Sequence, residues 1–139
     1  MGGRCQKGTI KYIRTQNGNL GPSNLKISDI FGHRGISDSV SGMSDDQLFD
    51  EMLNIIIKAN SGDLIFANFV EFDSLYGHRR DLPGYARALE NFDKQLPKLF
   101  SILNKDDFLV ITADHGNDPS FAGTDHTREQ VPVLIKNQK

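Results

Sequence analysis

Apolar positions between residues 44 and 70 change from helical spacing to a continuous run. Ser44 begins a Ser-x-x-Gln sequence, the pattern of a capping box that satisfies backbone donors at the start of a helix. Apolar side chains then recur three or four residues apart as far as Gly62, at Leu48, Met52, Ile55, Ile56 and Ala59. The mainly apolar run at residues 64–70 follows, so we predict a helix that leads into a buried strand.

The second half of the chain repeats this alternation. A helical apolar stripe is formed by Tyr85, Leu89, Phe92, Leu96, Leu99 and Leu103. Pro97 lies inside it and is expected to kink or restart the helix because proline removes a backbone donor. A buried strand is predicted at 108–112, and a last strand near a sheet edge at 131–135, since it contains a proline. The order of elements predicts an α/β core.

Length and composition narrow the class of protein. The 139 residues suit one domain with a single core, and the composition is that of an ordinary soluble globular protein. No apolar run approaches the roughly 20 residues that cross a bilayer, and the amino terminus lacks the apolar region of a signal peptide. The single cysteine, Cys5, cannot form an internal disulfide, which is compatible with a cytoplasmic protein.

Charge separates the first residues from the rest. Residues 1–28 contain five basic and no acidic residues, so they carry +5; the whole chain carries −2, which leaves −7 for residues 29–139. Residues 12–22 are polar and rich in turn formers, where the core should supply an apolar strand. We therefore expect an atypical basic leader at residues 1–25, foreign to the core at 26–139, and a solvated tail rather than a nucleic-acid-binding arm. An added leader, an upstream frameshift and a truncated gene product each explain it.

An aspartate and a histidine follow each of the first two predicted strands. Asp73 and His78 follow the strand at 64–70, Asp114 and His115 follow the strand at 108–112, and His126 comes soon afterwards. Carboxylate and imidazole suit manganese, zinc, magnesium or iron, and the absence of thiolate argues against a structural cysteine site. Five ligands exceed the need of one tetrahedral ion. We therefore predict two metals in one cleft, about 3.5–4 Å apart, that clamp a phosphoryl group.

The aspartate and histidine pattern also has a simpler interpretation. An Asp-His pair after a strand is often only a cap or turn, but three of the four histidines of the chain fall in these two loops, which favours ligands. The fourth, His33, is interpreted as a solvated loop residue. Gly77 and Gly116 fit close turns beside a site, or are ordinary loop glycines.

Three arginines near the motifs leave two interpretations open. They are suited to bidentate phosphate contacts, and they are equally suited to ion pairs that fix the loops. The arginines are Arg79, Arg80 and Arg128, and the ion-pair partners would be Asp81, Asp125 and Glu129.

The motifs at residues 73–81, 112–116 and 123–129, with the segment at 26–31, together resemble the carboxy-terminal core of the phosphopentomutases, a family within the alkaline phosphatase superfamily. The resemblance covers residues 26–135. It implies an alkaline-phosphatase-like α/β core, with a mostly parallel sheet flanked by helices. It also implies two Mn²⁺ ions, one held by Asp73, His78 and His126, the other by Asp114 and His115 among its ligands. The implied reaction interconverts ribose or deoxyribose 1-phosphate and 5-phosphate, with a pentose phosphate as substrate.

The chain departs from the family pattern in three respects. A further metal-binding aspartate, a threonine that becomes phosphorylated and a cap domain are not identifiable in this sequence. We therefore expect a truncated core without the cap, which is inactive alone and self-associates through an exposed sheet edge. The alternatives are a catalytically silent metal-binding fragment, or a relative of the cofactor-independent phosphoglycerate mutases or of metal-dependent phosphatases. Neither a nucleic-acid nor a membrane partner is expected.

Overall fold

A computed structural model of the chain describes residues 10–15 and 36–137. The chain divides into two compact units, Met1–Val70 and Glu71–Lys139, where the sequence predicted one domain with a single core. Cys5, His33 and the motif at 26–31 lie outside the described residues. The expected boundary between a leader and the core at residue 25 also lies there, so it stays a prediction.

The first unit contains a three-stranded sheet in which both pairings are parallel. Its strands are β1 (Ile10–Thr15), β2 (Ile36–Gly42) and β3 (Leu64–Asn68), in the order β2-β1-β3. In the register of β1 and β3, Ile10 lies opposite Leu64 and Arg14 opposite Asn68. The strand predicted at 64–70 is therefore present but two residues shorter.

Strand β1 includes residues for which the sequence predicted polar turns, over the range 12–22. That assignment is wrong for residues 12–15, because they belong to the middle strand of the sheet. The segment alternates β-forming residues such as Ile10, Tyr12 and Ile13 with basic ones. Strand β1 is held by backbone hydrogen bonds to β2 on one side and β3 on the other. Both partners are distant in sequence, so the residue pattern within β1 does not predict the pairing.

Helix α1 (Asp45–Ile57) follows β2 and begins as the capping pattern predicts. The Ser44 hydroxyl accepts a hydrogen bond from the Gln47 backbone N–H at 3.2 Å, and Gln47 Oε1 accepts from the Met43 N–H at 2.9 Å. The helix ends at Ile57, earlier than the predicted stop at Gly62. Gly62, with a φ of 91°, instead lies in the following turn.

The buried face of α1 forms the described core of the first unit. Leu48 and Phe49 are completely buried and Met52 is nearly so. The Phe49 ring lies 6.1 Å from that of Phe69, just beyond β3. The helix is therefore fixed to its sheet by large apolar side chains.

The second unit contains a π-helical turn (Phe72–Gly77), helix α2 (Leu82–Ile102) and strands β4 (Phe108–Thr112) and β5 (Val133–Asn137). The bounds of β4 are those predicted, whereas β5 begins two residues later, just after Pro132, which lacks a backbone donor. The two strands pair antiparallel, with Phe108 opposite Asn137. A single mostly parallel sheet is thus not confirmed, because β4 and β5 form a sheet of their own.

Strand β4 is less buried than its apolar sequence predicts. Phe108 is 63% exposed and Val110 is 46% exposed, while Leu109 and Ile111 between them are less accessible. An antiparallel pair can leave one face open in this way. Self-association through the sheet stays a prediction.

Helix α2 supports the segment that carries the first predicted ligands. The Asp81 carboxylate caps its start by accepting from the Gly84 N–H at 2.9 Å, and the helix continues through Pro97 without restarting. The Phe72 ring lies edge-on to Tyr85 and Phe92 of α2, with centroids 6.1 and 6.0 Å away. The π-helical turn therefore packs on the first half of α2. Among the described residues, neither α-helix has the length and apolar character required to cross a membrane.

Replacement of Phe49 by alanine should lower the free energy of unfolding by about 3–5 kcal/mol, because it opens a cavity in a completely buried position. Urea unfolding followed by circular dichroism measures this change. Ile57→Ala, at a position of the same helix that is 64% exposed, is the control and should change stability by less than about 1 kcal/mol. Equal losses in both variants would contradict the placement of the core.

Candidate metal centre

The first predicted ligand lies on the π-helical turn, where the sequence analysis expected only a loop. Asp73 is its second residue, and the His78 backbone N–H donates to the Asp73 carbonyl at 2.9 Å, closing the turn. The i to i+5 bonding of a π-helix occurs mostly as single turns, often at functional sites. The turn brings Asp73 and His78 to one side.

The predicted ligands Asp73, His78 and His126 converge on one point. His78 Nε2 lies 3.1 Å and His126 Nε2 lies 3.5 Å from Asp73 Oδ2, and the two nitrogens are 3.2 Å apart. Atoms that share an ion at about 2.1 Å lie roughly 3.0–3.5 Å from one another. The three atoms therefore have the spacing of a metal coordination shell, and their side chains remain one-third to one-half exposed.

His115 joins the same group, whereas Asp114 lies at its margin. One ligand atom each of Asp73, His115 and His126 lies within 4.8 Å of the others, and the His115 ring stacks on that of His126 at 3.7 Å. The Asp114 side chain is 81% exposed, with Oδ1 3.7 Å from His115 Nε2. We call Asp73, His78, His115 and His126 the ligand cluster. Division of the five predicted residues between two ions stays a prediction.

The tautomer of His78 is fixed by a carbonyl. His78 Nδ1 lies 2.5 Å from the Thr124 carbonyl oxygen, which can only accept, so Nδ1 carries the hydrogen. In the neutral imidazole Nε2 then carries the lone pair, and this nitrogen faces Asp73 Oδ2 and His126 Nε2. A metal-ligating histidine is typically oriented by such a bond through its other nitrogen.

The Asp73 carboxylate is oriented by a residue that the sequence analysis missed. Asn117 donates from Nδ2 to Asp73 Oδ1 at 2.5 Å, which leaves Oδ2 facing the histidines. The only signal in the sequence was an amide two residues after His115.

Arg80 fixes the loops around the ligand cluster, but through carbonyl oxygens and an amide and not through the ion pairs considered for it. Its guanidinium donates to the side chain of Asn117 and to backbone carbonyls of the two site loops, those of Gly77, Asp118, Gly123 and Asp125. The residue has a φ of 55°, in the left-handed region that side chains other than glycine rarely adopt. Its partner at Asp125 is the carbonyl and not the carboxylate. For Arg79 and Arg128 the two interpretations stay open.

The loop that carries His115 and His126 is closed by short-range contacts. Gly116 and Thr127 form an isolated bridge, and the Asp118 N–H donates to the Thr127 hydroxyl at 2.6 Å. A Cβ at Gly116 would lie 2.8 Å from backbone atoms of Glu129. Glycine at this position therefore allows the backbone at Glu129 to come close to that at residue 116.

Two ionisable groups near the site have shifted pKa values. Partial burial, with the nearby Asp73 carboxylate, raises the pKa of Tyr85. Hydrogen bonds from the Ser120 hydroxyl and N–H lower the pKa of Asp118, which keeps this carboxylate ionised and the loop turn closed.

Comparison with known proteins matches the sequence of this chain to a family of metalloenzymes. A family model described as "Metalloenzyme superfamily" matches residues 10–139, a range that includes part of the segment assigned to the basic leader. The phosphopentomutase of Sinorhizobium fredii is 56% identical over 110 residues, which are 79% of this chain and 27% of that protein. The phosphopentomutase of Pectobacterium atrosepticum is 55% identical over 130 residues, 94% of this chain and 32% of that protein.

A third phosphopentomutase, from Vibrio cholerae, is 51% identical over 114 residues, 82% of this chain and 28% of that protein. The resemblance inferred from the motifs is therefore confirmed. The chain spans 27–32% of the length of these three relatives.

Replacement of Gly77 by alanine should disturb the site, because the new Cβ would collide with the Asn117 amide and lie 3.2 Å from Asp73 Oδ1. We expect a loss of about 1–3 kcal/mol in the free energy of unfolding of the metal-free chain, together with weaker manganese binding. Urea unfolding and isothermal titration calorimetry measure the two effects. Gly62→Ala, in the turn before β3, is the control: a Cβ there meets no atom within 4 Å, but the φ of 91° strains an alanine. It should therefore lose some stability and keep its manganese affinity. Unchanged manganese affinity in Gly77→Ala would contradict the described packing.

Proposed function

The chain belongs to the Metalloenzyme superfamily, and from this premise we propose that it forms the metal-binding part of a phosphopentomutase. The reaction would interconvert ribose or deoxyribose 1-phosphate with the corresponding 5-phosphate. The observation that carries the proposal is the convergence of Asp73, His78 and His126 at mutual distances of 3.1–3.5 Å. Identities of 51–56% to three phosphopentomutases support the choice of reaction.

We propose Mn²⁺ as the ion, and the donor set supports it because carboxylate and imidazole without thiolate suit a hard to borderline cation. Asp73, His78 and His126 would hold one ion, while Asp114 and His115 would contribute to a second. When bound, such ions neutralise charge on a phosphoryl group that is being transferred. The ligand cluster is partly exposed, so a phosphate group could reach it.

The residues of the chain would prepare the site before an ion arrives. The Thr124 carbonyl orients the His78 ring with Nε2 toward Asp73, and Asn117 holds Asp73 with one oxygen toward the histidines. Ligands that are already oriented lose less conformational freedom on binding. The pentose phosphate would be the substrate, and the cytoplasmic location is a further prediction.

The alternative activities are distinguished by their substrates. A phosphoglycerate mutase would act on 3-phosphoglycerate, and a metal-dependent phosphatase would release inorganic phosphate. The observed identities are to phosphopentomutases and favour the pentose phosphate. A silent metal-binding fragment is supported by one observation, the 81% exposure of the Asp114 side chain.

Asp73→Asn should weaken manganese binding, because it removes the charged ligand itself. Loss of a residue that only supports a ligand costs roughly 10–100-fold in affinity, so we expect a larger loss here. Calorimetric titration of the 139-residue chain measures this affinity. His33→Ala is the control: it removes a histidine outside the motifs at 73–81, 112–116 and 123–129 and should leave the manganese affinity unchanged. Absence of manganese binding by the unmodified chain would reject the proposed site, and equal binding by Asp73→Asn would reject the ligand.

A chimera should test the reaction. The 130 residues matched in the Pectobacterium atrosepticum phosphopentomutase are replaced by their counterparts from this chain. We expect manganese-dependent interconversion of ribose 1-phosphate and ribose 5-phosphate, and its loss in the chimera with Asp73→Asn. The unmodified relative is the positive control, and 3-phosphoglycerate and p-nitrophenyl phosphate test the alternatives. A folded chimera that turns over only one of the latter substrates would contradict the proposal.

A further inference from the structure

A continuous chain of hydrogen bonds connects Arg80 to the ligand cluster. Arg80 Nη1 donates to Asn117 Oδ1 at 2.5 Å, and Asn117 Nδ2 donates to Asp73 Oδ1 at 2.5 Å. A guanidinium can only donate and a carboxylate can only accept, so the amide between them has a single orientation. The other Asp73 oxygen then lies 3.1 Å from His78 Nε2.

Arg80, the first residue in this series of hydrogen bonds, is itself held on several sides. Arg80 donates through Nη1 to the carbonyls of Gly77 and Asp118, at 3.1 and 3.0 Å. Through Nη2 it donates to the Asp125 carbonyl at 2.6 Å, and through Nε to the Gly123 carbonyl. The planar guanidinium thus connects the end of the π-helical turn to the loop between His115 and His126. Lysine, a single charged point on a flexible stem, cannot replace this fork.

From these contacts we propose that Arg80, acting through Asn117, is a positioning residue that directs the Asp73 carboxylate toward the metal. The proposal rests on the metal site proposed above and adds the residues that orient its ligand. In this role Arg80 acts on protein oxygens, since Nε, Nη1 and Nη2 each donate to at least one of them.

Positioning and simple electrostatics have opposite consequences for metal affinity. A fixed positive charge near a cation site repels the cation, so removal of the Arg80 charge should by itself strengthen binding. If Arg80 positions Asp73, its removal should weaken binding, and Arg80→Lys should not restore it even though the charge is kept. The sign of the change therefore separates the two roles.

The experiment titrates Mn²⁺ into the 139-residue chain and into Arg80→Gln, Arg80→Lys, Asn117→Leu and the double variant Arg80→Gln/Asn117→Leu. Free Mn²⁺ is followed by electron paramagnetic resonance, and the visible spectrum of the Co²⁺-loaded chain reports coordination geometry. Thermal unfolding of each metal-free variant shows that it is folded. Arg87→Gln, at an exposed position on α2, is the control for loss of one positive charge.

We expect Mn²⁺ affinity to fall roughly 10–100-fold in each single variant, the range for loss of a group that supports a metal ligand. The Co²⁺ spectrum should change, the double variant should lose little more than either single variant, and Arg87→Gln should match the unmodified chain. Unchanged or stronger Mn²⁺ binding by the folded variants, or full rescue by Arg80→Lys, would overturn the positioning role while leaving the metal site intact.

Two further outcomes are decisive. Failure of the unmodified chain to bind Mn²⁺ would overturn the metal site and, with it, the role of Arg80. If the Arg80 variants do not fold, Asn117→Leu decides the matter, because it leaves the four carbonyl partners of Arg80 in place. Unchanged affinity in folded Asn117→Leu would overturn the proposal.

Discussion

The close approach of three electron-rich atoms is the constraint on which the site depends. Asp73 Oδ2, His78 Nε2 and His126 Nε2 lie 3.1–3.5 Å from one another, and the other nitrogen of His78 faces the Thr124 carbonyl. Such atoms repel unless a proton or a cation is shared between them. The surrounding contacts hold the three atoms at the spacing that a shared cation would stabilise.

The supporting contacts come from segments far apart in the sequence. The π-helical turn supplies Asp73 and is fixed to α2 by the edge-on contacts of Phe72. The loop after β4 supplies Asn117 and Thr124, which orient one carboxylate and one imidazole. Arg80 connects the two segments through backbone carbonyls.

Local patterns in the sequence predicted the elements whose causes are local. The capping residue Ser44 marked the start of α1, and the apolar run at 108–112 gave the bounds of β4. Pairs of aspartate and histidine after strands identified Asp73, His78, His115 and His126, which the structure brings together. Ligand chemistry is visible in sequence because few residue types bind a metal.

What the sequence did not predict depends on distant partners. Strand β1 is stabilised by pairing on both sides, and its own composition gives no sign of a middle strand. The π-helical turn differs from a loop only in its backbone bonds. Asn117 and Arg80 acquire their roles from contacts 37 to 45 residues away along the chain. A pattern within one segment cannot report such contacts.

The most direct test of this account is X-ray absorption spectroscopy at the manganese edge, with one equivalent of Mn²⁺ bound to the chain. The account predicts at least two imidazole ligands and a carboxylate oxygen in the coordination shell, with the imidazole contribution reduced when His78 is replaced by alanine. A shell made of oxygen atoms alone, unchanged by that substitution, would contradict it.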